Sequence, residues 1–232
     1  HAGFLSRALV AEGIEVDLPH LGGKRAATWF PISWVIYSVY LSEKIGYWRY
    51  ILMDRHLKAN PGEAFAPLFD FFEPWCQDEN RHGDCFTVMM RCWPGITKGW
   101  RGKLLSRFFL WSVFLTHTLT VCERGEFYEL LGIEPKEFDE EVIKRTNHTS
   151  KNAFPWVFNL EDNRFWDLRN NIIEAFRAFV STKGIDKPVK FIKFVSLIFQ
   201  QFALPMEATN ALRYEKDVNF TGGDILNFWT DK

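Results

Sequence analysis

Residues 75–84 read Trp-Cys-Gln-Asp-Glu-Asn-Arg-His-Gly-Asp and lie inside a run of helical periodicity from about Pro67 to Cys92. Positions three, four and seven apart share a helix face. Glu79 therefore shares its face with Phe72, Trp75 and Cys76 before it and with His82, Gly83 and Phe86 after it. A carboxylate in that stripe is expected to point into the core. The run before it, about Phe30 to Lys58, repeats the pattern: Glu43 shares a face with Ile36, Val39, Tyr40, Gly46, Tyr47 and Tyr50. A buried, unpaired carboxylate costs several kcal/mol, roughly, and takes up a proton or finds a cation. Glu79 and His82 form Glu-x-x-His, two ligand types about 60° apart on one helix, so one metal can be held from a single element. Di-iron four-helix bundles use one lone Glu on each of two helices and a Glu-x-x-His on each of the other two. Glu43 fits the lone Glu, Glu79 and His82 fit one pair, and His1 fits the histidine of the other. Oxygen and imidazole donors without thiolate suit iron or manganese better than structural zinc. The competing reading is structural: Glu-x-x-His recurs on solvated faces, and Arg49 or Arg81 offers Glu43 a core salt bridge.

Outward from this pair, the chain is read as all-α. Residues 1–12 are helical and end at Gly13, and a loop with Pro19, Gly22 and Gly23 follows. Pro31 stands in the first turn of the next helix, where its missing N–H costs nothing. Pro74 lies inside the 67–92 run and is expected to kink it, and Trp93-Pro94-Gly95 ends it. Further helices are expected over 97–123, 126–131, 135–145, 161–182 and 187–204, with a break at Phe154-Pro155. No period-2 alternation is sustained. The longest uncharged stretch, Phe108–Cys122, is shorter than the roughly 20 residues a bilayer crossing needs. Lys190 and Lys193 interrupt the last apolar run, which reads as a helix lying on a surface, with a membrane or an ordinary core both open.

Composition narrows the function classes. The 232 residues carry 28 Lys and Arg against 29 Asp and Glu, a net charge of −1 that argues against nucleic acid as a partner. The four Cys, at 76, 85, 92 and 122, form no C-x-x-C pair and read as reduced core thiols. His20 lies in a loop, His56 near a helix end, and His117 and His148 lack acidic partners at ligand spacing, so all four read as structural. Asn147-His148-Thr149 matches a glycosylation acceptor with nothing else to indicate secretion. Aromatic residues make up 17 % of the chain, enough for a large flat ligand, a bilayer surface or simply a packed core. The opening at His1, inside an amphipathic run with no targeting segment before it, leads to the expectation that the sequence is a fragment.

With these residues assembled, the chain resembles a known family. Asp78-Glu79-Asn80-Arg81-His82 fits the D-E-x-R-H motif of membrane-associated di-iron carboxylate proteins. The strings YLSEKIGYWRY (40–50), WCQDENRHGD (75–84), SRFFLWSVF (106–114), FYELLGIE (127–134) and VIKRTN (142–147) are similar to the aerobic magnesium-protoporphyrin IX monomethyl ester oxidative cyclases. HAGFL at the start resembles the end of that family's first motif, D-E-A-R-H-A-G-F-L. The likeness runs from residue 1 to about 160 and fades afterwards. Pro74 and Cys85 depart from the commoner pattern without touching a ligand position.

The resemblance implies a ferritin-like di-iron bundle over residues 1–153 with a C-terminal helical extension over 154–232. It makes His1, Glu43, Glu79 and His82 iron ligands, with two further Glu ligands upstream. Asp78 would accept a hydrogen bond from His1, and Arg81 would partner the carboxylates. The implied cofactor is two iron ions. The implied reaction is O₂-dependent closure of the isocyclic ring of chlorophyll pigments. Electrons would come from an external ferredoxin or NADPH-linked reductase, since the chain has no dinucleotide, flavin or iron–sulfur signature. An accessory cyclase subunit in some lineages and a cytoplasmic site at the surface of a photosynthetic or inner membrane are implied as well. The fragment alone is expected to be inactive. Other membrane-surface di-iron oxidases, acting on quinols or quinones, and a non-enzymatic helical interaction protein remain the rivals.

Overall fold

The computed structural model describes residues 10, 13 and 30–211, residue 66 excepted. His1, His20 and the helix expected over 1–12 therefore fall almost wholly outside the described residues. Seven α-helices are described: α1 (Ile32–Ala59), α2 (Phe72–Cys92), α3 (Gly99–Glu123), α4 (Gly125–Leu130), α5 (Pro135–Ser150), α6 (Asn163–Ser181) and α7 (Lys187–Phe202). The all-α expectation holds, with local corrections. A 3₁₀ turn, Pro67–Phe71, precedes α2, and the α-helix runs unbroken from Phe72. Pro74 falls in its first turn, where no N–H has a helical partner, so no kink is needed. Helix α5 runs on to Ser150, five residues beyond the expected end; the Glu134 carboxylate accepts from the Glu137 N–H at 2.6 Å and caps its start. Asp162 caps α6 in the same way, on the Arg164 N–H at 3.0 Å.

Two strands were not foreseen. β1 (Trp156–Phe158) pairs antiparallel with β2 (Met206–Ala208), Val157 opposite Glu207. Three residues are too few for alternation to show, and both strands lie outside the runs read as helices.

Helix α1 is the hub, packing against α2, α3 and α5. It lies antiparallel to α2: Glu43 stands opposite His82 and, further along, Lys58 opposite Glu73. Much of the aromatic surplus is core. Tyr37, Tyr40, Phe72, Phe114, Phe138, Phe154, Phe158 and Phe165 belong to one buried cluster. Each such ring removed from water contributes roughly 1.5–3 kcal/mol. The phenols are satisfied, Tyr37 donating to the Ile96 carbonyl at 3.2 Å and Tyr40 to that of Thr149 at 3.3 Å. Helices α6 and α7 pack on each other through a smaller cluster of Ile172, Ala175 and Phe194. Among the described residues α3 alone is long and apolar enough to cross a membrane. In the bundle it buries Leu110, Phe114, His117 and Val121.

Candidate metal centre

Glu43 on α1 and Glu79 and His82 on α2 bring one donor atom each within 4.8 Å of one another. The His82 Nδ1 lies 3.1 Å from Glu43 Oε2 and 3.8 Å from Glu79 Oε2. The Trp75 indole N–H donates to the other Glu79 oxygen, Oε1, at 3.0 Å, which fixes the carboxylate plane with Oε2 toward the histidine. The expected inward orientation needs correcting. The Glu43 and Glu79 side chains are 19 % and 16 % exposed and that of His82 is 54 % exposed, so the three stand along the margin of the α1–α2 seam. Burial pushes the Glu43 carboxyl up to about 7, the hydrogen bond and charge of Glu79 push the same way, and His82 opposes them. Two carboxylates this close repel one another unless a proton or a cation sits between them.

The charge that does enter the seam is Lys44, one residue on from Glu43 and only 2 % exposed. Its ammonium donates to Asp84 Oδ1 at 2.5 Å, to Asn80 Oδ1 at 2.8 Å and to the Asn80 carbonyl at 3.3 Å. Burial lowers the lysine pKa, and the Asp84 charge opposes that shift. The stem lies across Gly83, where an added Cβ would come 2.5 Å from Lys44 Cε. Any larger residue there would force the Lys44 stem to move. Lys44 thus ties α1 to the α2 turn that carries Glu79 and His82, and it sets which residues of the two helices face each other. Periodicity along one helix could not reveal this, because the register between helices decides it.

The Rubrerythrin family matches residues 1–90, the stretch that includes all three donors. A magnesium-protoporphyrin IX monomethyl ester (oxidative) cyclase of Prochlorococcus marinus (strain MIT 9211) is 72 % identical over 214 residues, covering 92 % of this chain and 61 % of that protein. The chain is similar to the oxidative cyclases over most of its own length. The cyclase of strain MIT 9313 shows the same identity and coverage. A cyclase 2 of Synechocystis sp. is 52 % identical over 194 residues, 84 % of this chain and 54 % of the relative. The chain thus spans about three-fifths of the length of the first of these curated relatives. No solved structure matches it significantly. The likeness to the cyclases extends well past residue 160, where the motif strings had faded, because 92 % of the chain is aligned.

The remaining expected residues of the cyclase-like site fall as follows. His1 lies outside the described residues. Asp78 is half-exposed and takes the Arg81 guanidinium at 3.2 Å. Arg81 therefore turns outward to Asp78 and not to Glu43, and Arg49 donates to the Tyr50 hydroxyl at 3.0 Å, which leaves the alternative of an arginine salt bridge to Glu43 unsupported. All four Cys are free, but Cys85 and Cys92 are exposed and only Cys76 is buried, its thiol pushed up to about 12 by burial. Asn147 is buried and donates its amide to the Phe158 carbonyl at 2.8 Å, so it is no glycan acceptor. His56 Nε2 lies 2.7 Å from Glu63 Oε2 and 2.8 Å from the Leu131 carbonyl, a loop contact away from the site.

One cluster was missed. His117 on α3 was read as lacking an acidic partner, yet its Nδ1 lies 2.7 Å from Asp139 Oδ1 on α5. The other Asp139 oxygen accepts from Thr118 at 2.9 Å and from Arg169 Nε on α6 at 2.7 Å. All four residues are buried. They come from three helices, so no local spacing marked them; an Asp and an Arg on otherwise apolar stripes were the only available signal.

Proposed function

We propose that this chain forms part of a di-iron oxygenase that closes the isocyclic ring on magnesium-protoporphyrin IX monomethyl ester. The observation that carries the proposal is the convergence of Glu43, Glu79 and His82 at one point of a chain 72 % identical to named cyclases. The donor set fits iron: two hard carboxylates and an imidazole, no thiolate, and a Glu43 carboxyl whose surroundings favour a proton or a cation. Glu43, Glu79 and His82 would hold the metal, with His1 as the further ligand that the family resemblance implies. Two irons held there would activate O₂ for attack on a C–H bond.

The protein's own groups prepare this arrangement. Trp75 holds one Glu79 oxygen and turns the other toward His82. The Lys44–Asp84–Asn80 contacts keep Glu43 opposite His82. Glu43 must give up its proton before it can act as a ligand, so loading releases a proton near neutral pH. The substrate is a flat magnesium porphyrin whose methylated propionate is hydroxylated, oxidised to a ketone and joined to the macrocycle, with O₂ as co-substrate. Electrons come from a separate donor, a ferredoxin or an NADPH-linked reductase, and an accessory subunit joins in some lineages. The protein works on the cytoplasmic side, peripheral to a photosynthetic or inner membrane.

The test uses the natural gene product that carries this chain, loaded with iron and supplied with reductant and O₂. Magnesium-protoporphyrin IX monomethyl ester should be converted to a protochlorophyllide-type absorber. An iron-loaded, reducible protein that leaves the ester untouched would rule the substrate out.

A further inference from the structure

Helix α7 covers little of itself. It buries Phe194 and Gln201, while the rings of Phe191 and Phe194 pack at a tilt against Phe179 and Phe176 of α6. Its outer face carries Val189, Ile192 and Phe199, all exposed, and Ile185 just before the helix is 92 % exposed. The spacing 185, 189, 192, 196, 199 is one continuous stripe, with Ser196 its only polar member. Single exposed apolar residues are ordinary, but a contiguous stripe marks a docking surface.

The charge beside the stripe selects the occupant. Helix α7 contains Lys187, Lys190 and Lys193 and no acidic residue, on a chain whose net charge is −1. Lys190 and Lys193 line a cleft of about 400 Å³ between α6 and α7, together with Asn171 and Glu174. Neither lysine has an ion-pair partner among the described residues. An apolar stripe flanked by lysines, whose stems can lie along hydrocarbon while the ammonium groups stay in water, fits the headgroup level of an anionic bilayer.

We propose that the α6–α7 hairpin is an anionic-lipid docking face, in which Ile185, Val189, Ile192 and Phe199 enter the acyl boundary and Lys190 and Lys193 take the phosphate headgroups. This gives the peripheral membrane contact proposed above a location. It stands apart from the α1–α2 donors and holds whether or not iron is bound.

The full 232-residue chain, with mixed phosphatidylcholine–phosphatidylglycerol vesicles and with phosphatidylcholine alone, tests it by co-sedimentation. The chain should bind the mixed vesicles and be released by salt. Val189→Glu with Ile192→Glu should lower binding by roughly tenfold or more, and Lys190→Glu with Lys193→Glu should remove the preference for the anionic lipid. Trp100→Glu, at an exposed aromatic on α3, serves as the control that keeps binding. All these positions are exposed, and far-UV circular dichroism checks that each variant folds. Equal binding to both vesicle types, or α7 variants that bind like the parent, overturns the proposal. A chain that self-associates through this face, and whose apolar variants turn monomeric without losing lipid, overturns it in favour of a second copy.

Discussion

At the junction of α3, α5 and α6, His117 meets Asp139 at 2.7 Å, and at the α1–α2 seam His82 meets Glu43 at 3.1 Å. The two contacts look alike in a distance table and differ in what neutralises the carboxylate. Asp139 receives Arg169 Nη2 at 2.6 Å and the Thr118 hydroxyl as well, all within the core. Its lone pairs are taken and its charge is answered by a permanent cation. Glu43 is acted on by a second carboxylate and by a half-exposed imidazole. A buried pair of the first kind offers a metal nothing. In the second kind burial and the neighbouring Glu79 both disfavour the Glu43 charge, and that crowding separates a candidate site from a structural bridge.

Three experiments press on this difference. The largest effect is expected at the seam: Glu79→Ala should abolish iron binding, measured as metal content after loading and desalting, whereas His56→Ala should load like the parent. Equal iron in the parent and in Glu79→Ala would mean that the seam carboxylates serve only the fold. Next, Arg169→Met leaves Asp139 buried without its permanent cation and should cost about 3–5 kcal/mol of stability in urea unfolding while the folded protein still loads iron. Full stability in that variant would erase the distinction from the other side.

The smallest effect concerns pH in the metal-free chain, kept so with a chelator. The Glu43 carboxyl, pushed up to about 7, is protonated in the folded state at pH values where the unfolded chain, near its ordinary 4.5, has already lost the proton. The folded state then binds more protons, so stability falls as pH rises from about 4.5 and levels off above about 7. The loss should be on the order of 1–2 kcal/mol, and Glu43→Gln should remove that share of the slope. An unchanged pH profile in the glutamine variant would show that Glu43 meets no unfavourable surroundings.

What could be read along one helix was legible. The periodicity placed the long helices to within a few residues, and two carboxylates on apolar stripes marked the donors that the structure brings together. What depends on how helices meet was not legible. Lys44 hides beside Glu43 because the centre of the α1–α2 seam passes through it, and that centre is set by Gly83 on the other helix. Asp139, Arg169 and His117 lie on three elements far apart in the chain. The orientation of Glu43 and Glu79 was overstated for a related reason: a shared face says which side of a helix a residue is on, not how near the centre of that side it lies.

The β1–β2 clasp has a consequence for how the protein is made. Val157 finds Glu207 only after residues 159–205 have been synthesised and returned, and Thr209 then closes on the Phe154 carbonyl through its hydroxyl at 2.5 Å and on Pro155 through its N–H at 3.0 Å. On the ribosome, the aromatic and apolar segment Trp156–Phe158 emerges long before its partner. For that interval it presents an open edge of the kind that other nascent chains pair with. Docking of α6 and α7 closes that edge, since those two helices carry the missing strand home.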